Sequence, residues 1–200
     1  MEPMPSGEAR DIYFVAAPSG AGKSTFVSTY ARNYKRMYPK NKIYLFSALD
    51  EDESIDVIKP IRIALNEELL EDPITISELE DSLCIFDDVD SLQSKPVRLA
   101  VNALRDSIAT TGRHSNTSLF VVQHQLSNYR DTRVILTEAQ YIVIFPRSGS
   151  THSISYTLKM HCGFSKQDID KILHLPSRWV MIKKSYPTVV IYQTGAYLLS

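Results

Sequence analysis

The stretch Ala17-Pro18-Ser19-Gly20-Ala21-Gly22-Lys23-Ser24-Thr25 constrains this chain more than any other. It fits a Walker A phosphate-binding loop, with Ala17 at the first fixed position, where glycine is more usual. Gly20 and Gly22 let the backbone curl so that successive N–H groups converge on phosphate oxygens. A helix starting near Lys23 would turn its positive end towards the same anion. The Lys23 ammonium can bridge β- and γ-phosphates, and the Ser24 hydroxyl can ligate Mg²⁺. Pro18, Ser19, Ala21 and Thr25 complete the nucleotide-binding segment. The flanks suit the motif. Asp11 to Ala17 is a short apolar run of strand formers, and Thr25 to Tyr38 contains neither Gly nor Pro. Phe26, Tyr30, Tyr34 and Tyr38 recur at helical spacing in that second segment.

The rest of the chain alternates strand and helix patterns. Strands are expected at Lys42–Ser47, Ser82–Asp88, Thr117–Gln123 and Gln140–Phe145. Ala48 to Asp56 reads as an acidic loop, and 54–71 as an irregular stretch followed by a helix that Pro73 ends. Thr75 to Glu80 fits one capped turn. A long helix is expected from Ser91 to Thr111, with Val97, Ala100, Val101, Leu104 and Ile108 on one face. A short helix is expected from Thr132 to Ala139, capped by Asp131 or Thr132. Apolar strands alternating with helices indicate a parallel sheet covered on both faces. The tail differs: Ser165 and Asp168 frame a capping box, and Trp179–Lys184 and Thr188–Tyr192 read as a hairpin. The expected fold is therefore α/β, a P-loop three-layer sandwich with a mainly parallel central sheet and a C-terminal β-hairpin at its edge. Residues 1–10 are expected to be a flexible arm, and 11–200 a single domain.

Composition sets the outer limits. The 200 residues suffice for one sizeable core. A net charge of −1 gives no strong overall field to draw the monomer to nucleic acid or membrane. Any DNA contact must then come from a local patch or an assembled ring. Lys35, Arg36, Lys40 and Lys42 form such a patch, although a solvated helix end is its default reading. Cys84 and Cys162 fall in an apolar strand and a helical stretch, as small hydrophobes in a reducing compartment would. No apolar run reaches membrane-spanning length, and the first ten residues have no apolar signal core. A soluble, intracellular protein is expected.

A phosphate loop binds nucleotide but needs partners for hydrolysis. In open sheets of this class the ligand sits beyond the carboxyl ends of the strands. The segment Cys84-Ile-Phe-Asp87-Asp88 brings two carboxylates to that edge. Asp87 suits the Walker B position that orients Mg²⁺, and Asp88 the position that polarises the attacking water, one methylene shorter than the usual Glu. The strand ending in Gln123-His124 should lie alongside and could sense the γ-phosphate, with Gln123 the first choice and His124 the second. An arginine finger would neutralise transition-state charge, in cis or from a neighbour. Arg113 is the first candidate, then Arg130, Arg133 and Arg147.

Several segments together resemble the DNA-packaging ATPases of large double-stranded DNA viruses and virophages, the poxvirus-type branch of the FtsK/HerA superfamily. They are Ala17–Thr25, Ile85–Asp88, Thr111–Asn116, Thr132–Glu138, Ile144–Pro146, Ser177-Arg-Trp-Val180 and Tyr186-Pro187. The resemblance implies an ATP- and Mg²⁺-dependent motor, a homo-oligomeric ring of five or six subunits, and double-stranded DNA as the cargo. It further implies capsid portal or vertex proteins as partners, and location in the virus factory of the host cytoplasm or in the virion. Two rival readings stand beside it. The loop also looks like that of guanylate kinases, which need an Arg- and Tyr-rich monophosphate site where this chain has Asp50-Glu-Asp-Glu-Ser54. A nucleotide-switched assembly module with little turnover is the other.

Overall fold

The computed structural model describes residues 1–126 and 129–199, with the backbone only at 129–131. Its strands are β1 (Ile12–Ala16), β2 (Lys42–Ser47), β3 (Ile61–Ile63), β4 (Ser82–Asp87), β5 (Ser118–Gln123), β6 (Tyr141–Ile144), β7 (Val180–Lys183), β8 (Thr188–Tyr192) and β9 (Gly195–Leu199). Its helices are α1 (Lys23–Met37), α2 (Glu53–Asp56), α3 (Glu68–Glu71), α4 (Lys95–Thr111), α5 (Tyr129–Glu138), α6 (Thr151–Cys162) and α7 (Lys166–Leu173). One nine-stranded sheet runs in the order β3-β2-β4-β5-β1-β6-β7-β8-β9. The first six strands in that order are parallel, and β7, β8 and β9 continue antiparallel.

Side-chain alternation along the strands divides the core into two layers. Tyr13, Val15, Leu83, Ile85, Phe120 and Val122 face α1, where Phe26, Tyr30 and Tyr34 meet them. Phe14, Phe86, Leu119, Val121 and Ile142 face the other way, towards α4 and α6. Rings hold the first layer in register: Tyr13 stacks at 4.3 Å on both Phe120 and Tyr141, and Tyr30 meets Tyr13 edge-on at 5.1 Å. The helical face read from Phe26, Tyr30, Tyr34 and Tyr38 is therefore the packing face of α1.

The three-layer sandwich and mainly parallel sheet match the sequence expectation, with differences at the margins. β3 forms inside the stretch read as irregular, pairing with β2 at the sheet edge. The acidic loop contains α2, capped by Asp52, whose carboxylate accepts from the Ser54 and Ile55 amides. α4 starts at Lys95, with Pro96 in its first turn, and a short 3₁₀ turn at Val89–Ser91 precedes it. α5 starts at Tyr129, ahead of the expected cap; the side chain of Asp131 lies outside the described residues. The terminal hairpin gains a third strand, β9.

The segment 1–10, expected to be a flexible arm, lies against the domain instead. Pro3 and Pro5 are buried. The Pro3 carbonyl accepts from Asn33 Nδ2 at 2.9 Å, and Ser6 binds the buried Asp11 carboxylate through both its amide and its hydroxyl. Tyr30 donates its phenolic O–H to the same carboxylate at 2.7 Å. A buried acid at the start of β1 thus recruits the arm to satisfy its lone pairs.

Candidate nucleotide site

The carboxyl ends of β4, β5 and β1 lie side by side and carry the site. Backbone bonds tie the departing loops together: Ala17 N–H donates to the Gln123 carbonyl at 3.2 Å, and Asp88 N–H to that of Val122 at 3.1 Å. Between β1 and α1 the chain makes the expected curl. Gly20 and Gly22 take φ of +75° and +106°, a region side chains resist. Gly22 is the residue before α1, and no side chain caps the helix. The first turn also carries no acidic residue. Its amides therefore stay available to an anion, and the helix dipole favours one there.

Lys23 is only 7% exposed, and its ammonium is directed back over the loop. Nζ donates to the Ala17 carbonyl at 2.8 Å and lies 3.2 Å from His124 Nδ1. Burial lowers its pKa, while Asp88 and Asp87 pull it up. The other ring nitrogen of His124, Nε2, is 2.7 Å from Asp88 Oδ2. An ammonium facing Nδ1 makes that nitrogen the acceptor, so the geometry assigns the proton to Nε2, which donates to Asp88. Lys23, His124 and Asp88 form one chain of contacts.

Alternation along β4 points Asp87 to the α1 side, with Leu83 and Ile85, and so towards the loop. Asp87 is 3% exposed. Burial, then Asp88, then Asp52 push its carboxyl up to about 7, against the pull of Lys23 and of the Ser47 hydroxyl 3.4 Å away. Asp88 follows in a left-handed conformation, φ +49°. Its Oδ1 is buried and has no hydrogen-bond partner among the described residues. Asp52 completes the cluster: Ser24 Oγ donates to its Oδ2 at 2.9 Å. Sequence reading missed Asp52 because an acid in an acidic loop carries no pattern; its only signal was a helix-capping position before Glu53.

This donor set fits a Mg²⁺ ion. All the oxygens are hard ligands, and crowded buried carboxylates are relieved by a cation. Among the described residues no group of three or more His, Cys, Asp or Glu side chains could hold a metal. Mg²⁺ keeps several waters and is commonly held by one or two protein oxygens plus phosphates. Ser24 and Asp87 are the residues that would hold such an ion.

Lys23, Ser24, Asp87, Asp88 and His124 thus come together. Gln123 lines a cleft with Asp88 and His124 without contacting Lys23, and Arg113 lies apart. Gln123 points to the opposite side of β5, with Val121, and Nε2 donates to Asp90 Oδ2 at 2.6 Å. Of the two polar residues, His124 contacts Lys23 and Asp88, while strand alternation turns Gln123 away from α1 and towards Asp90. Arg113 sits in the turn before β5, at the amino edge of the sheet, close enough to Arg10 for their charges to interact. The six residues of β5 separate that edge from the loop by roughly 20 Å, so within one chain Arg113 cannot reach the phosphates. Arg147 lies just past β6, on the loop's own edge, since Ile144 pairs with Ala16. Arg133 lines a separate cleft between α5 and α6, and the side chain of Arg130 lies outside the described residues.

No family model matches the chain. It is 38% identical over 199 residues to the uncharacterized protein V3 of Sputnik virophage, covering 98% of this chain and 80% of that one. Among solved structures it resembles B204, the DNA-packaging ATPase of Sulfolobus turreted icosahedral virus, with a TM-score of 0.59 at 13% identity over 95% of this chain and 97% of that one. The genome packaging NTPase B204 of Sulfolobus turreted icosahedral virus 2, in complex with ATP-gammaS, gives 0.59 at 12%, over 96% and 98%. The cytoplasmic domain of the Type VII secretion ATPase EccC from Thermomonospora curvata also gives 0.59 at 13%, over 90% of this chain and 25% of that one. The fold defines the class: it is that of the P-loop ATPases. The chain belongs to the family of the Sputnik virophage protein V3.

Proposed function

We propose that the chain is an ATP-hydrolysing motor that moves double-stranded viral DNA into a capsid. The observation that carries the reading is the convergence of Lys23, Asp87, Asp88 and His124 around the loop at one sheet edge. The triphosphate lies in the curl between Gly20 and Gly22, and Lys23 exchanges its carbonyl contacts for β- and γ-phosphate oxygens. Mg²⁺, held through Ser24 and Asp87, would supply charge neutralisation on those oxygens. Asp52 accepts the Ser24 hydroxyl proton and so leaves that oxygen's lone pairs to the metal. Asp88 orients the attacking water and His124, hydrogen-bonded to it, responds when the γ-phosphate departs.

The likeness to a DNA-packaging ATPase supports DNA as cargo, and the motor proposed is a homo-oligomeric ring of five or six subunits acting with capsid vertex or portal proteins. The working place is then the virus factory in the host cytoplasm, or the virion. The finger comes from a neighbouring subunit: Arg147 fits an edge-to-edge contact, and Arg113 fits only if the neighbour presents its opposite edge. A guanylate-kinase reading gains nothing, because Asp52, where a monophosphate would need cations, hydrogen-bonds the loop serine.

The test is phosphate release from ATP by the wild-type chain and by Lys23→Ala and Asp88→Asn, with and without DNA and GMP. We expect no binding by Lys23→Ala, and bound but uncleaved ATP in Asp88→Asn. Normal hydrolysis by Asp88→Asn would remove Asp88 from the mechanism, and a GDP product would overturn the motor. Bound ATP without turnover at any protein concentration would leave a nucleotide switch.

A further inference from the structure

The Ser177-Arg-Trp-Val180 segment, unused by the chemistry above, stands beside the phosphate loop. An added Cβ on Gly22 would come within 3.8 Å of an Arg178 guanidinium nitrogen. That guanidinium is exposed and makes no ion pair among the described residues. Its backbone is held firmly: Arg178 N–H donates to Gln193 Oε1 at 2.7 Å, and the Ser177 hydroxyl donates to the Trp179 carbonyl at 2.6 Å. A cation is thus fixed at its root and free at its tip, next to a loop built for anions.

Clefts open on more than one side of the loop. One, beyond the ends of β4 and β5, is lined by Asp88, Asp90, Gln123 and His124. Another, of about 220 Å³, starts at Gly22 and Thr25 and runs along α1 past Phe26 and Thr29 to Arg178 and Trp179. On the nucleotide reading above, with the γ end at Asp88 and His124 and the middle phosphate over Lys23, the chain of phosphates would leave past Thr25 into this second cleft. Apolar rings back it: Phe26 and Trp179, both largely buried, meet edge-to-face at 5.1 Å. Met1 and Pro3 also line it, and the N-terminal ammonium donates to the Gln193 carbonyl.

Resting on the nucleotide reading above, we propose that this cleft is the nucleoside subsite, that Arg178 pairs with the phosphate nearest the ribose, and that the segment Met1–Pro3 closes over the base. The arm is then part of the binding site, and Asn33, which holds the Pro3 carbonyl, positions it.

Trp179 is the only tryptophan, so its fluorescence reports the cleft. ATP and inorganic tripolyphosphate are titrated against the full chain, Arg178→Ala, Arg178→Lys and Asn33→Ala. Arg178→Ala should weaken ATP about tenfold or more, with partial recovery in Arg178→Lys. Asn33→Ala should weaken ATP about threefold and leave tripolyphosphate unchanged. Unaltered ATP affinity in Arg178→Ala, or equal shifts for both ligands in Asn33→Ala, overturns the subsite. Wild-type protein that binds both ligands equally well also overturns it, whereas wild-type protein that binds neither removes the phosphate-loop reading itself.

Discussion

At the scale of single residues, the site is a negotiation between charges that burial would otherwise forbid. Asp87 and Asp88 are adjacent in sequence, Asp52 is brought in from a loop, and Lys23 and His124 stand between them. Asp52 is the most exposed to experiment. Asp52→Asn should raise the Mg²⁺ concentration needed for half-maximal ATP binding by about tenfold while leaving metal-free binding unchanged. Equilibrium dialysis with and without chelator reads both, and equal effects in the two conditions would reduce Asp52 to a helix cap. The two cysteines make a second residue-scale prediction. Burial pushes the Cys84 thiol up to about 12 and that of Cys162 up to about 11. Raised thiol values leave little thiolate at pH 8, so both should resist iodoacetamide in the folded chain and react once urea unfolds it. Rapid native alkylation, followed by mass spectrometry, would contradict this.

At the scale of elements, the helix α1 and its strands form a ring-stacked unit that positions the loop. Phe120 is fully buried between Tyr13 and Tyr30, on the strand that ends in Gln123. Phe120→Ala should cost about 3–5 kcal/mol in urea denaturation. Removing the α7 cap by Ser165→Ala should cost only about 1 kcal/mol. Reversal of that order would mean the tail, not the β1–α1–β5 unit, dominates stability. Much of this was legible in the chain. Apolar runs located β1, β2, β4, β5 and β6 because buried parallel strands admit few polar residues. β3 and β9 escaped because both lie at sheet edges, where one side is solvated and residues such as the half-exposed Arg62 and the exposed Ala196 break the pattern.

At the scale of the whole molecule, a net charge of −1 offers no general attraction for DNA. Lys35 and Arg36 close α1 at the end away from the loop, and Lys35 Nζ donates to the Asn41 carbonyl, as a solvated helix end would. The proposed motor should therefore work as an assembly. We expect ATP turnover per subunit to rise with protein concentration. Arg147→Ala should lower turnover about a hundredfold or more without weakening ATP binding. Gel filtration alongside the rate measurement checks this: concentration-independent turnover by a monomer would remove the neighbour's finger.

The phosphate loop, the paired carboxylates and the alternation of strand and helix were determined by sequence alone, since each depends on residue types at short, fixed spacings. Which side chains meet was decided only in three dimensions. Asp52 reaches Ser24 across 28 positions, and Lys23 reaches His124 across 101. Arg178 comes to Gly22 because β7 pairs with β6 and β6 with β1. Those encounters depend on strand order and on which face each side chain takes, and strand order arises from contacts between segments far apart in the chain, which no local spacing records.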